Sequence, residues 1–109
     1  MKLNKEAEEK ARSMIKSGQY VKESDWSEAQ PTTEDENDYL ERHSWKDYGE
    51  WQLGIHDDSS KQTKSRYGFP YGDFSRVHRS GLVAVKQRAA QQTYTDIEKA
   101  ADRLLKLLG

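Results

Sequence analysis

The last third of the chain carries the strongest periodicity. Ile97, Ala100, Ala101, Leu104, Leu105 and Leu108 recur at helical spacing, with Lys99, Asp102, Arg103 and Lys106 on the other face. Thr95 followed three residues later by Glu98 has the residue types of a capping box, so a helix is expected to begin there and to end at Gly109. Upstream, Phe74, Val77, His78, Gly81, Leu82, Val85, Arg88 and Ala89 fall on one helical stripe, predicting a second helix from an N-cap at Asp73 to about Gln91. Only Gln92, Thr93 and Tyr94 separate the two helices, which makes them neighbours in an antiparallel or strongly angled hairpin. Gly81 on the buried stripe costs about 1 kcal/mol of helix propensity against Ala, and a close approach by another element would explain it.

Trp51, Leu53 and Ile55 alternate with polar residues or Gly, as do Tyr67 and Phe69. That pattern predicts two short strands near residues 50–55 and 66–69, joined by the loop HDDSSKQTKS. Pro70 bars the residues beyond Phe69 from a central strand, and Gly68, Pro70 and Gly72 read as a tight lead-in to Asp73. Nearer the start, Leu3, Ala7, Ala11, Met14 and Ile15 make a thin helical stripe over residues 3–16, ended by Gly18. The polar, acidic stretch Lys22 to Asp38 is expected to be the most mobile part, although Thr33 with Glu36 offers a capping box for a short helix through Tyr39, Leu40 and His43.

The expected fold is therefore mainly α, a small single domain with a C-terminal antiparallel helical hairpin and a short two-stranded β element in the aromatic middle. Residues 1–44 are expected to form an acidic, partly flexible region with weak helices, and residues 45–109 a compact helical-hairpin domain. Leu, Ile, Val and Phe total only 17 of 109 residues. Balanced charge (18 Lys and Arg, 19 Asp and Glu) and eleven aromatics nevertheless support a folded core. The balance conceals an asymmetry: residues 1–58 carry 8 basic and 15 acidic side chains, and residues 59–109 carry 10 basic and 4 acidic. The halves should largely neutralise each other, or the basic half should meet an anionic partner.

The absence of cysteine excludes disulfides, thiol catalysis and Cys-ligated zinc. No apolar run reaches membrane-spanning length, and the start lacks the apolar core of a secretion signal, so no membrane association and a cytoplasmic location are expected. No nucleophile elbow, phosphate loop, dinucleotide fingerprint, zincin motif or EF-hand is present, so neither an enzyme nor a cofactor is expected. His78 on the apolar stripe reads first as a buried imidazole bonded to a backbone or carboxylate partner, and a functional role is the lesser alternative. His56, Asp57 and Asp58 have metal-ligating chemistry, but adjacent residues rarely converge on one ion, so a polar loop is the better reading and no metal is expected. GFPYGD could cradle a phosphate at a helix start, except that the Asp73 carboxylate would occupy those donors.

Residues 66–108, with the Phe69–Pro70 entry, the Arg79…Arg88–Ala89–Ala90–Gln91 helix, the short turn and the Ile97, Ala100, Ala101, Leu104 helix, resemble a small domain of unknown function. It is associated with stand-alone prokaryotic proteins and with segments of phage head-morphogenesis and prohead-protease-type polypeptides. The resemblance implies a helical interaction module of phage ancestry and transfers no catalytic residue.

The functional expectation is a non-enzymatic module that binds a protein partner, with Arg76, Arg79, Lys86, Tyr67 and Tyr71 as the candidate interaction surface. The alternative is a nucleic-acid-binding protein using the basic face of residues 61–88, since cations interleaved with aromatics pair phosphates and stack bases. A helix-turn-helix reading fails, because the exposed face of the last helix carries Asp96, Glu98 and Asp102. The face assignments yield a first prediction. Leu104→Ala should lower stability by about 2 to 5 kcal/mol, read from urea midpoints, whereas Lys106→Ala should change it little.

Overall fold

In the computed structural model, which describes residues 1–57 and 62–109, the elements run in the order β1 (Lys2–Leu3), α1 (Lys5–Lys16), β2 (Tyr20–Val21), α2 (Trp26–Ala29), α3 (Thr33–Arg42), α4 (Trp45–Gly49), β3 (Gln52–Ile55), a 3-10 turn (Lys64–Arg66), β4 (Tyr67–Pro70), β5 (Val77–His78), α5 (Arg79–Gln91) and α6 (Thr95–Leu108). The molecule is a mainly α single domain with a C-terminal helix pair and two small sheets. No helix among the described residues is long and apolar enough to cross a membrane.

The strands expected in the aromatic middle are β3 and β4, antiparallel, with Gly54 opposite Gly68 and Gln52 opposite Pro70. Pro70 ends an edge strand, where its missing N–H is tolerated. The sheet differs from expectation in size, because β1 adds to the other side of β3 with Leu3 opposite Gly54. A second, parallel pair joins β2 to β5, with Tyr20 opposite Val77 and Val21 opposite His78. These two-residue strands are too short to show a period of their own.

Within residues 1–44, α1 is packed into the core. Ala7 and Ala11 are fully buried, Met14 and Ile15 nearly so, and all four belong to the same core as Leu82, Ile97 and Leu104. The Asn4 side chain, at the N-cap of α1, donates instead to Gly49 O (2.9 Å) and Gln52 O (3.2 Å), tying the helix start to the corner between α4 and β3. At the other end Gly18 takes φ +81°, and Gln19 N–H bonds Met14 O while Gly18 N–H bonds Ile15 O, a Schellman closure. α1 is held on α6 by a part-buried ion pair in which Arg103 donates Nε and Nη2 to the two Glu8 carboxylate oxygens, each at 2.9 Å, and Arg12 adds a third bond at 3.1 Å.

Helix starts shift where a neighbour competes for the capping groups. α5 begins at Arg79, not Asp73. Phe74 is held at φ +68°, its ring stacked 4.4 Å from Tyr39 and edge-on to Trp51, and that left-handed residue cannot lie inside a right-handed helix. Asp73 still acts as a cap of a kind, accepting from Ser75 N–H (2.9 Å) and Arg76 N–H (2.7 Å) in a tight turn. The Thr95–Glu98 capping box does not form. Thr93 at φ +59° closes α5 in a second Schellman turn, so Tyr94 becomes the N-cap of α6 and Glu98 falls one place beyond the box position. On α3 the box is one residue earlier than Thr33–Glu36, between Thr32 and Asp35, which frees Glu36 to accept from Tyr48 Oη at 3.1 Å. A further box, Ser44 with Asp47, opens α4. The close approach expected at Gly81 is present: a Cβ there would lie 2.6 Å from Tyr71 O and 2.8 Å from the Trp26 ring.

The Glu8 clamp sets a pH dependence. Hydrogen bonds from Arg103 hold the Glu8 carboxyl below its ordinary range against the opposing effect of burial, and the charges of Arg103 and Arg12 add to the depression. A depressed carboxylate contributes stability that is complete above the unfolded pKa of about 4.3 and is lost as pH falls through the folded value. Urea midpoints should therefore drop between about pH 5 and pH 3. Glu8→Gln should start from a lower midpoint at neutral pH and decline less steeply with acid; an unchanged slope would remove Glu8 from this role.

Candidate functional site

A cleft of about 1090 Å³ lies where β1, the first turn of α1, α4, the end of β3, β4 and the N-terminal half of α6 meet. Lys2, Lys5, Lys46, Arg66, Lys99 and Arg103 line it, against the carboxylates Glu6, Asp57 and Asp96. Several of these cations are already engaged: Lys2 pairs with Asp57, Arg103 with Glu8, and Arg66 donates to His56 O and lies over the Tyr67 ring. Lys5, Lys46 and Lys99 make no ion pair among the described residues. The walls also carry two half-buried aromatics. Trp45 meets Tyr48 edge-on at 5.8 Å, and its indole N–H has no acceptor among the described residues. Tyr67 covers Gly49 so closely that a Cβ there would fall 2.4 Å from its ring.

The five residues expected to form one interaction surface are dispersed. Arg76 and Arg79 are exposed, on the Asp73 turn and at the start of α5. Lys86 donates to Asp102 at 2.8 Å, and Tyr67 belongs to the cleft wall. Tyr71 is not a surface residue: it is 0% exposed, with its hydroxyl donating to Glu50 O at 2.7 Å and its ring stacked on Trp51. Its position next to Pro70 on an edge strand concealed that the chain turns inward there. The basic face of residues 61–88 is interrupted as well, since Lys64 is taken by Asn37 and Glu36 on α3; Lys61 lies outside the described residues. The acidic half thus neutralises part of the basic half, through Glu36–Lys64 and Glu8–Arg103.

Asp57 turns to Lys2, and Asp58 lies outside the described residues. Among the described residues no three His, Asp or Glu side chains are grouped to hold a metal ion. His78 is buried at 5% exposure, and both ring nitrogens are bonded, Nε2 to Asp73 Oδ2 and Nδ1 to Ser24 Oγ, each at 2.8 Å. Ser80 Oγ lies 2.8 Å from Ser24 Oγ. Burial alone would raise the Asp73 pKa, but the bonds from His78 and from the Arg76 and Ser75 amides outweigh it and hold the carboxyl below its usual range. Ser24 carried no signal in the sequence, because its partners are more than fifty positions away.

No family model matches the chain, and no curated protein or solved structure does so either.

The contrast between the two tyrosines is measurable. Tyr71→Phe takes from the part-buried Glu50 carbonyl its donor and should lower stability by about 1 to 3 kcal/mol in urea unfolding. Tyr67→Phe, at a half-buried cleft wall, should change it much less.

Proposed function

We propose that this chain is a protein-interaction module whose cleft receives an acidic, partly apolar segment of a partner. The observation that carries this reading is the combination in one concavity of Lys5, Lys46 and Lys99, without ion pairs among the described residues, and the half-buried Trp45 and Tyr67. At about 1090 Å³ the cleft is at the upper end of the roughly 300 to 1,000 Å³ of small-molecule pockets, and charged side chains of both signs are spread along its walls where such pockets carry a few convergent polar groups. That spread of charge favours a polypeptide segment over a metabolite. Glu6, Asp57 and Asp96 in the same walls would repel a run of phosphates but can be matched by individual side chains of a protein, which supports a protein partner over nucleic acid. Trp45, with an indole N–H left open to a partner, has the character of an interface anchor. The scaffold behind it is read as an antiparallel hairpin of α5 and α6, since the three-residue connection forces the chain to reverse. The resemblance of residues 66–108 to segments of phage head-assembly polypeptides supports a partner of an assembly rather than a metabolic kind.

The test uses a short fluorescent peptide alternating Glu with Leu and Phe, and single-stranded oligothymidine as the competing probe, at about 0.15 M salt. Exposed ion pairs contribute about 0.2 to 1 kcal/mol each. Replacing Lys5, Lys46 and Lys99 together by Gln should therefore weaken peptide binding about tenfold, which corresponds to about 1.4 kcal/mol. The urea midpoint should stay unchanged. Failure of the peptide to bind would overturn the reading, and tight oligothymidine binding that falls steeply with salt would replace it with the nucleic-acid one.

A further inference from the structure

The hydrogen-bonded chain Ser80, Ser24, His78, Asp73 lies apart from the cleft, and none of its members lines it. Its direction is set by the carboxylate. Asp73 also accepts from the Ser75 and Arg76 amides and has only lone pairs to offer, so a neutral His78 must carry its proton on Nε2 and donate it there. Nδ1 is then a lone pair, and the group within bonding distance of it is the Ser24 hydroxyl, which must donate. Ser80 in turn donates to Ser24 Oγ. A serine whose proton is directed at an imidazole, itself oriented by a partly buried carboxylate, is the arrangement that makes a serine nucleophilic. The ring nitrogens are exchanged relative to the usual serine hydrolase assignment, but either tautomer of a neutral imidazole offers one lone pair and one N–H.

Two neighbouring features suit the chemistry. Ser24 is half-exposed, although His78 behind it is buried. The first turn of α5 adjoins it through Ser80 and has no side-chain cap, because the N-cap residue, His78, uses both ring nitrogens elsewhere. The Ser80 and Gly81 amides have no acceptor among the described residues, and Ser80, whose hydroxyl touches Ser24, is the partly exposed one of the two.

We propose that Ser24 is an acyl-accepting nucleophile, with His78 as its base and Asp73 as the orienting carboxylate, acting on small activated esters. In the first half-reaction Ser24 Oγ forms a bond to the ester carbonyl carbon and its proton passes to His78 Nδ1. The bond from that carbon to the alkoxy oxygen breaks, and the leaving alcohol takes the proton from Nδ1. In the second, water attacks the acyl carbon and gives a proton to Nδ1, the bond to Oγ breaks, and the proton returns to Ser24 as the carboxylic acid departs.

The experiment treats the full chain with diisopropyl fluorophosphate, which phosphorylates activated serines with loss of fluoride, and maps the adduct by peptide mass spectrometry. A single adduct on Ser24 is expected. Positioned base catalysis contributes about 10² to 10⁴-fold, so labelling should be at least about 10²-fold slower in His78→Gln and clearly slower in Asp73→Asn, compared among variants with wild-type circular dichroism. Ser27→Ala, three residues on at an exposed site of α2, should label at the wild-type rate. Mapping on the unaltered chain decides the matter even if a variant fails to fold. No adduct, adducts spread over the exposed serines, or a Ser24 adduct whose rate ignores His78 and Asp73 would each overturn the proposal and leave the network as a tie between the Ser24 loop and α5.

Discussion

Tyr71 is the residue through which the layers of this protein are joined. Its hydroxyl donates to Glu50 O, ahead of β3, and lies 3.4 Å from Ala7 O on α1. Its amide bonds Trp51 O, and its own carbonyl accepts from His78 N–H at the start of α5. That same carbonyl is the atom that forbids a side chain at Gly81. A domain poor in aliphatic residues cannot rely on area alone. It places one large aromatic at zero exposure and uses its polar atoms to fix the elements around it, so that each neighbour gains a packing surface and a hydrogen bond together. Burial also pushes the Tyr71 phenol well above its ordinary pKa, so the hydroxyl remains a donor through the accessible pH range.

The parts of this fold legible in the sequence are those whose signal spans several turns or an alternating run. The α1, α5 and α6 stripes and the β3–β4 pair emerge from periodicity, and the residues placed on those stripes, among them Ala11, Leu82, Val85, Ile97 and Leu104, are buried. The illegible parts depend on contacts distant in sequence. β1, β2 and β5 are two residues each and exist only because β3 or another short strand lies beside them. The cap positions moved by one residue, to Thr32 on α3 and to Tyr94 on α6, the latter because the Schellman turn that ends α5 takes up Thr93 and Tyr94. The largest departure, the start of α5, traces to Phe74, whose φ of +68° no helical periodicity can anticipate. Stacking on Tyr39 and an edge-on contact with Trp51 offset a backbone cost of about 1 to 2 kcal/mol there.

The candidate site was less legible than the core for a related reason. Charge along the chain is asymmetric, but charge on the surface is decided by pairing, and Glu8 and Glu36 each remove a cation of the second half from consideration. The cations left over at the cleft are drawn from α1, α4 and α6, three helices that no single window of sequence unites. Sequence reasoning located cations by their density and so favoured residues 61–88. The structure sorts them by pairing and by place: Arg76 and Arg79 are exposed but lie outside the cleft, whereas Lys5, Lys46 and Lys99 line it.

The strained turn at Phe74 links the two candidate chemistries to the core. Because Phe74 is drawn into the aromatic cluster, the chain from Asp73 to Val77 folds back on itself, with Asp73 N–H bonded to Arg76 O and Gly72 bridged to Val77. That reversal brings the Asp73 carboxylate onto His78, five residues on, where a helix running from Asp73 would have put the two side chains on different faces. The same packing orders α3 through Tyr39, whose hydroxyl accepts from the Trp51 indole, and α3 supplies the Glu36 that engages Lys64. A backbone cost at one residue is thus offset by aromatic contact, and the geometry of the Ser24–His78–Asp73 network is set by where that contact holds the turn.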